Sequence, residues 1–195
     1  ALPALLWGVA FANIVRGVPL EKSAAGHIEY VGGFFNLLNP YALLGGVTTL
    51  LLFVSHGAFF LALKTEGEIR VRSNAIGQKA GLATAVAALA FFGWTIASVN
   101  SRGWVLLGAA VAVVCWLAAL FANFKGREGY AFLFSALTTG LTVITLFATL
   151  YPNVMPNINR SEIGLTIANA SSTAFCRLNW GIFLCISYVL VGLGI

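Results

Sequence analysis

Aspartate is absent from this chain, and its six acids are all glutamate. Charged residues of both signs fill only 9% of the 195 positions, against about a quarter in an ordinary soluble domain. That scarcity excludes water as the solvent for most of the surface. Cysteine is sparse too. Cys115, Cys176 and Cys185 show no CxxC spacing, which argues against a thiolate zinc site or a dithiol redox pair. Cys115 and Cys185 lie in apolar blocks and read as reduced packing residues. The two histidines, His27 and His56, form no HExxH element. GxxxxGK[ST], GxGxxG and GxSxG elements are missing as well, so phosphate cradles and nucleophile elbows are not expected. No acid falls inside an apolar block, so no carboxylate relay is expected within a span. Catalysis by this stretch alone is not expected, and no catalytic, cofactor-binding or metal-ligating residue is assigned.

What is present is apolar sequence in long unbroken runs. Hydrophobic residues make up 59% of the chain, and the mean hydropathy is +0.92. Six blocks stand out: Ala1–Val15, Tyr41–Leu63, Ala80–Val99, Trp104–Phe124, Tyr130–Tyr151 and Leu178–Ile195. The middle four hold roughly 20 residues each, enough for a helix to cross about 30 Å of hydrocarbon. Helices are the expected spans, because a lone apolar segment in lipid must satisfy its own backbone hydrogen bonds. The fold expected is therefore all-α, a polytopic transmembrane helix bundle of about six spans. Its first and last spans read as truncated, since the chain starts and stops within apolar runs. Residues 1–195 read as a single transmembrane domain belonging to a longer subunit.

Eleven Lys and Arg against six Glu give a net charge of +5. The cations form no continuous stripe, so nucleic acid is not an expected partner; anionic lipid headgroups are. Lys64, Arg70, Arg72 and Lys79 crowd the link between the second and third blocks, and Lys125 and Arg127 sit in the link between the fourth and fifth. These two short links are expected on one face, the cytoplasmic one by the positive-inside rule. Arg16, Lys22, Arg102, Arg160 and Arg177 spread over the remaining links, which would face outward. Tyr41, Trp104, Tyr130 and Tyr151 mark block edges, where amphipathic rings suit the headgroup zone. The third block is rich in Ala and Gly, which permits close helix approach.

His56 is the most informative residue inside a block. It lies eight positions from Lys64, roughly 12 Å inside the basic edge at 1.5 Å per residue. Ionisable groups at that depth are costly and face a bundle interior. With Ser55 it is a candidate for a proton path, since imidazole titrates near working pH. Alternatives are a heme ligand, or a neutral histidine hydrogen-bonded between helices through Ser55 or a backbone carbonyl. The charged segment after Leu63 fits a short helical extension with Glu66–Arg70 and Glu68–Arg72 pairs, or a solvated loop. A partner subunit or lipid phosphates would suit it. Tyr151-Pro152-Asn153-Val154-Met155-Pro156 stops a helix and stiffens the next link. The Asn, Ser and Thr residues between Thr166 and Thr173 offer helix caps, and such a link also suits a quinol entrance.

Three stretches resemble one family. Leu2-Pro3-Ala4-Leu5-Leu6-Trp7-Gly8 through Arg16-Gly17-Val18-Pro19 is the first. Leu37-Leu38-Asn39-Pro40-Tyr41 running into Ser55-His56-Gly57-Ala58 and Leu63-Lys64-Thr65 is the second. The third joins Leu150-Tyr151-Pro152-Asn153 to Leu165-Thr166-Ile167-Ala168-Asn169-Ala170-Ser171-Ser172. Their order and spacing are similar to subunit II of bacterial cytochrome bd quinol oxidases over residues 1–173, and 174–195 depart from that pattern. The resemblance implies a multi-pass inner-membrane subunit of a quinol:dioxygen oxidoreductase that reduces oxygen to water and builds a proton gradient. It implies a heme-free or heme-poor chain packed against subunit I, which would carry heme b and heme d, with quinol as substrate. A small-solute membrane transporter and a purely scaffolding membrane subunit are the competing readings. The transporter predicts a broken helix, for which Gly45-Gly46 or His56-Gly57 would be the place.

Overall fold

Proline near a helix start and glycine just past its end punctuate this chain. The computed structural model describes residues 1–23, 28–98, 103–151, 153–158 and 164–166. Within them five α-helices form: α1 (Leu2–Arg16), α2 (Pro40–Lys64), α3 (Gly67–Ser98), α4 (Gly103–Phe124) and α5 (Glu128–Leu150). Pro3 lies in the first turn of α1 and Pro40 opens α2, where a missing N–H costs nothing. Asn39 caps α2 by accepting from the Ala42 backbone N–H at 2.9 Å. Gly126 turns α4 into α5 at φ +69°, a conformation that a Cβ disfavours.

Helices α2 to α5 are long and apolar enough to cross a membrane, while α1 is a shorter apolar helix of 15 residues. The expected block Leu178–Ile195 lies outside the described residues, as do His27, Cys176, Cys185, Arg102, Arg160, Arg177 and the cluster 167–173. One expected boundary moves. The third span does not begin at Ala80; α3 starts at Gly67 and absorbs the charged link. Hydropathy marks where lipid touches a helix, and the first turns of α3 are helical without being apolar.

The chain runs up and down, α2 packing mainly on α3 and on α1, and α4 on α5. Small residues set the close contacts. A Cβ on Gly8 would meet Thr49 Oγ1, Gly46 Cα and Gly45 O at 2.6–2.8 Å, so α1 and α2 touch backbone to backbone. Gly77 and Gly81 of α3 likewise admit Phe59 and Leu120. A core of Phe59, Trp116, Ala119, Leu120 and Ala131 joins α2, α4 and α5, and the Trp116 indole N–H donates to the Gly81 carbonyl at 3.1 Å. Large apolar side chains such as Val86, Leu107 and Ile144 point outward, as lipid or a partner requires.

At the end that holds the C-terminus of α1 and the N-terminus of α2, the links are more ordered than expected. An antiparallel pair forms between β1 (Leu20–Lys22) and β2 (Ile28–Tyr30), and another between β3 (Asn153–Met155) and β4 (Leu165–Thr166). Val18 bridges Asn157, and the Asn157 side chain donates to the Leu20 carbonyl at 2.7 Å. Buried Asn13 donates to the Val9 and Leu37 carbonyls at 2.9 and 2.7 Å and accepts from Asn39 at 2.8 Å, tying α1 to the start of α2.

Candidate functional site

Ser55 and His56 are adjacent, so roughly 100° of helix separates their directions. That difference sends them to different neighbours. Ser55 is fully buried against α3, donating to the Leu51 carbonyl at 2.7 Å and lying 3.2 Å from Thr84 Oγ1. His56 turns to α5 instead. Its Nδ1 lies 2.8 Å from the hydroxyl of buried Ser135, and its ring stacks on Phe132 at 4.9 Å and 24°. The expected hydrogen bond between helices is present, but its partner is Ser135, not Ser55 or a backbone carbonyl. A residue 79 positions away cannot be read from local spacing.

Beyond Ser55 and Thr84 a cavity of ≈ 160 Å³ opens among all five helices. Its wall carries an unusual number of threonines, among them Thr48, Thr84, Thr95, Thr138 and Thr142. Each of these five hydroxyls donates to the carbonyl four residues back, at 2.7–2.8 Å. The donors are thereby spent inside their own helices. The space left is apolar and comparable to one that holds a benzene-sized molecule.

Toward the basic end lies a residue that composition alone did not flag. Glu128 reads as part of a charged link, yet it opens α5 with a side chain only 10% exposed. Arg70 of α3 reaches it at 2.8 Å, and the Asn74 amide donates to the same oxygen at 3.1 Å. The expected Glu66–Arg70 pairing gives way to this contact between helices: α3 starts at Gly67, so Glu66 lies outside the helix whose i,i+4 spacing would have set it beside Arg70. Glu68–Arg72 forms as expected, at 3.3 Å and fully in the open. The signal was available: an acid at the first position of a helix facing an Arg-bearing neighbour. The pairing of α3 with α5 was not.

A heme does not fit the described residues. The cavity is small, its wall offers no His, Cys or Met, and His56 does not line it. Helix α2 also continues unbroken from Pro40 to Lys64 through Gly45-Gly46 and His56-Gly57, contrary to the interruption that a transporter would need.

Residues 1–193 match the family described as cytochrome bd terminal oxidase subunit II. The chain is 31% identical to the probable cytochrome oxidase subunit 2 of Haemophilus influenzae, over 88% of this chain and 54% of that protein. It is also 31% identical to the cytochrome bd-I ubiquinol oxidase subunit 2 of Escherichia coli K12, with the same coverage. The cytochrome bd ubiquinol oxidase subunit 2 of Bacillus subtilis is 35% identical, over 88% of this chain and 51% of its own length. The chain thus spans about half the length of the curated relatives it matches. Membrane-length helices and a match over nearly every residue agree: the chain belongs to the cytochrome bd terminal oxidase subunit II family, multi-pass proteins of the bacterial inner membrane.

Proposed function

We propose that this chain is part of the second subunit of a cytochrome bd type quinol:dioxygen oxidoreductase. It packs against a heme-bearing subunit I and supports quinol oxidation, oxygen reduction to water and formation of a proton gradient. Residues 1–195 act as one transmembrane unit in that role. The observation that carries the reading is the family match over residues 1–193, with relatives named as ubiquinol oxidase subunits. Heme b and heme d belong to subunit I in this scheme, in keeping with the poor fit of a macrocycle among the described helices. Lipid tails and the partner's helices cover the exposed apolar faces.

Purification from native membranes tests this directly. Subunit I should accompany the chain, with heme d absorbance and quinol-dependent oxygen uptake. A complex that holds the chain but has neither property overturns the proposal.

Within that role, His56 is the proton-handling candidate through its contact with Ser135, while Ser55 is a separate candidate that meets Thr84 at the cavity edge. Replacing His56 with Ala should slow oxygen consumption and gradient formation together. Unchanged rates would leave His56 as a packing residue and the chain as a scaffold.

A further inference from the structure

The geometry points to Ser135 as a positioning residue that holds neutral His56 as its Nδ1–H tautomer and leaves Nε2 as the nitrogen that accepts a proton. Its functional meaning rests on the proton-handling reading of His56; the tautomer itself follows from hydrogen-bond accounting.

Ser135 is fully buried on α5. Its Oγ is 2.8 Å from the Phe132 carbonyl and 2.8 Å from His56 Nδ1. A hydroxyl has one proton and two lone pairs, and a neutral imidazole has one N–H and one bare nitrogen. Two allocations are therefore open. In the first, Ser135 donates to the Phe132 carbonyl and accepts from Nδ1–H, so both short contacts are hydrogen bonds and each polarises the other. In the second, Ser135 donates to a bare Nδ1, and the Phe132 contact has no proton left to make it. The imidazole proton then sits on Nε2, for which no acceptor is found among the described residues. The first allocation alone makes hydrogen bonds of both short contacts, and that favours it.

The ring cannot evade this by turning over. A half-turn about its long axis would put Cδ2 where Nδ1 now meets Ser135 and lose the bond. Phe132 lies flat on one face of the imidazole, and Phe60 in turn contacts Phe132 at 5.6 Å. The same placement serves the charged state. A proton arriving from water adds to the Nε2 lone pair, no protein bond breaks, and Nδ1–H continues to donate to Ser135. Protonation then needs no rotation of the side chain. The nearest acid along this face of α5, Glu128, lies seven residues away and is already engaged by Arg70.

Solid-state 15N NMR of the histidine-labelled complete oxidase tests the assignment, with a His56→Gln complex subtracted to isolate the signal. The expected spectrum shows His56 protonated at Nδ1 and bare at Nε2. In Ser135→Ala the proton should move to Nε2 or divide between the two nitrogens, and Ser135→Thr should restore the native pattern. Should Ser135→Ala fail to assemble, Ser135→Cys keeps the size with a poor acceptor and should shift the tautomer likewise. Native His56 protonated at Nε2, or a tautomer indifferent to loss of the hydroxyl, overturns the inference. A tautomer that moves while quinol-driven oxygen uptake stays constant supports the positioning role and removes His56 from the proton path.

Discussion

The two ends of the bundle are closed by different chemistry. At the basic end the turns are short, two residues between α2 and α3 and three between α4 and α5. There the tie is ionic: Arg70 and Asn74 of α3 converge on one oxygen of Glu128. At the opposite end the segments between α1 and α2 and after α5 are long, and neutral amides close them. Asn13, Asn39 and Asn157 bond to one another or to backbone carbonyls, and the paired short strands add backbone bonds. The difference teaches that an ion pair closes the end where cations are concentrated, and that uncharged groups hold the loops of the other. It also makes the two ends respond differently to salt, since ion pairs are screened and amide hydrogen bonds are not.

The largest effect is expected from Asn13→Ala. Asn13 is buried, and its loss strands the Leu37 carbonyl and removes one of the two acceptors of the Asn39 amide, which keeps the Asn36 carbonyl at 3.1 Å. The orphaned carbonyl costs about 1–3 kcal/mol and the lost Asn39 bond adds about 1, so destabilisation of about 2–3 kcal/mol is expected. The thermal midpoint of the detergent-solubilised protein should fall, and by the same amount at low and high salt. A fall that salt abolishes would break the contrast between the ends.

Much of the bundle was legible because a membrane leaves a coarse signature. Three spans lie within two residues of their apolar blocks at each end, Tyr41–Leu63 becoming Pro40–Lys64, for example. The start of α3 was not legible from apolarity, because Glu68, Arg70 and Arg72 support a helix through spacing and charge while lowering hydropathy. His56 announced itself by being ionisable in an oily run, but Ser135 did not. Serine in a membrane helix is common, and only the crossing of α2 with α5 decides which serine meets the imidazole. Glu128 looked like any acid in a charged turn. Its pairing exists only once Arg70 and Asn74 of α3 reach it.

Glu128→Ala comes second. Arg70 is half exposed and rehydrates when its partner is gone, which holds the loss to about 1–2 kcal/mol, at the lower end for hydrogen bonds to charged groups. Unlike Asn13→Ala, the gap between native and variant should narrow as salt rises, because salt weakens the native pair. A gap independent of salt would mean that Glu128 acts through packing and not through charge.

Arg72→Ala should change least. Arg72 belongs to the same helix and the same basic end as Arg70, yet its partner Glu68 lies one turn away on the same surface, and their side chains are 78% and 87% exposed. Water already solvates both groups, and holding two long side chains together costs entropy that offsets most of the attraction. No measurable shift in the thermal midpoint is expected at either salt concentration. Measured beside Glu128→Ala, this variant separates two explanations of the basic end. If burial of one ion pair gives that end its stability, only Glu128→Ala moves the midpoint. If the total of positive charge does, Arg72→Ala moves it as far, and the ionic tie ceases to be the counterpart of the amide network.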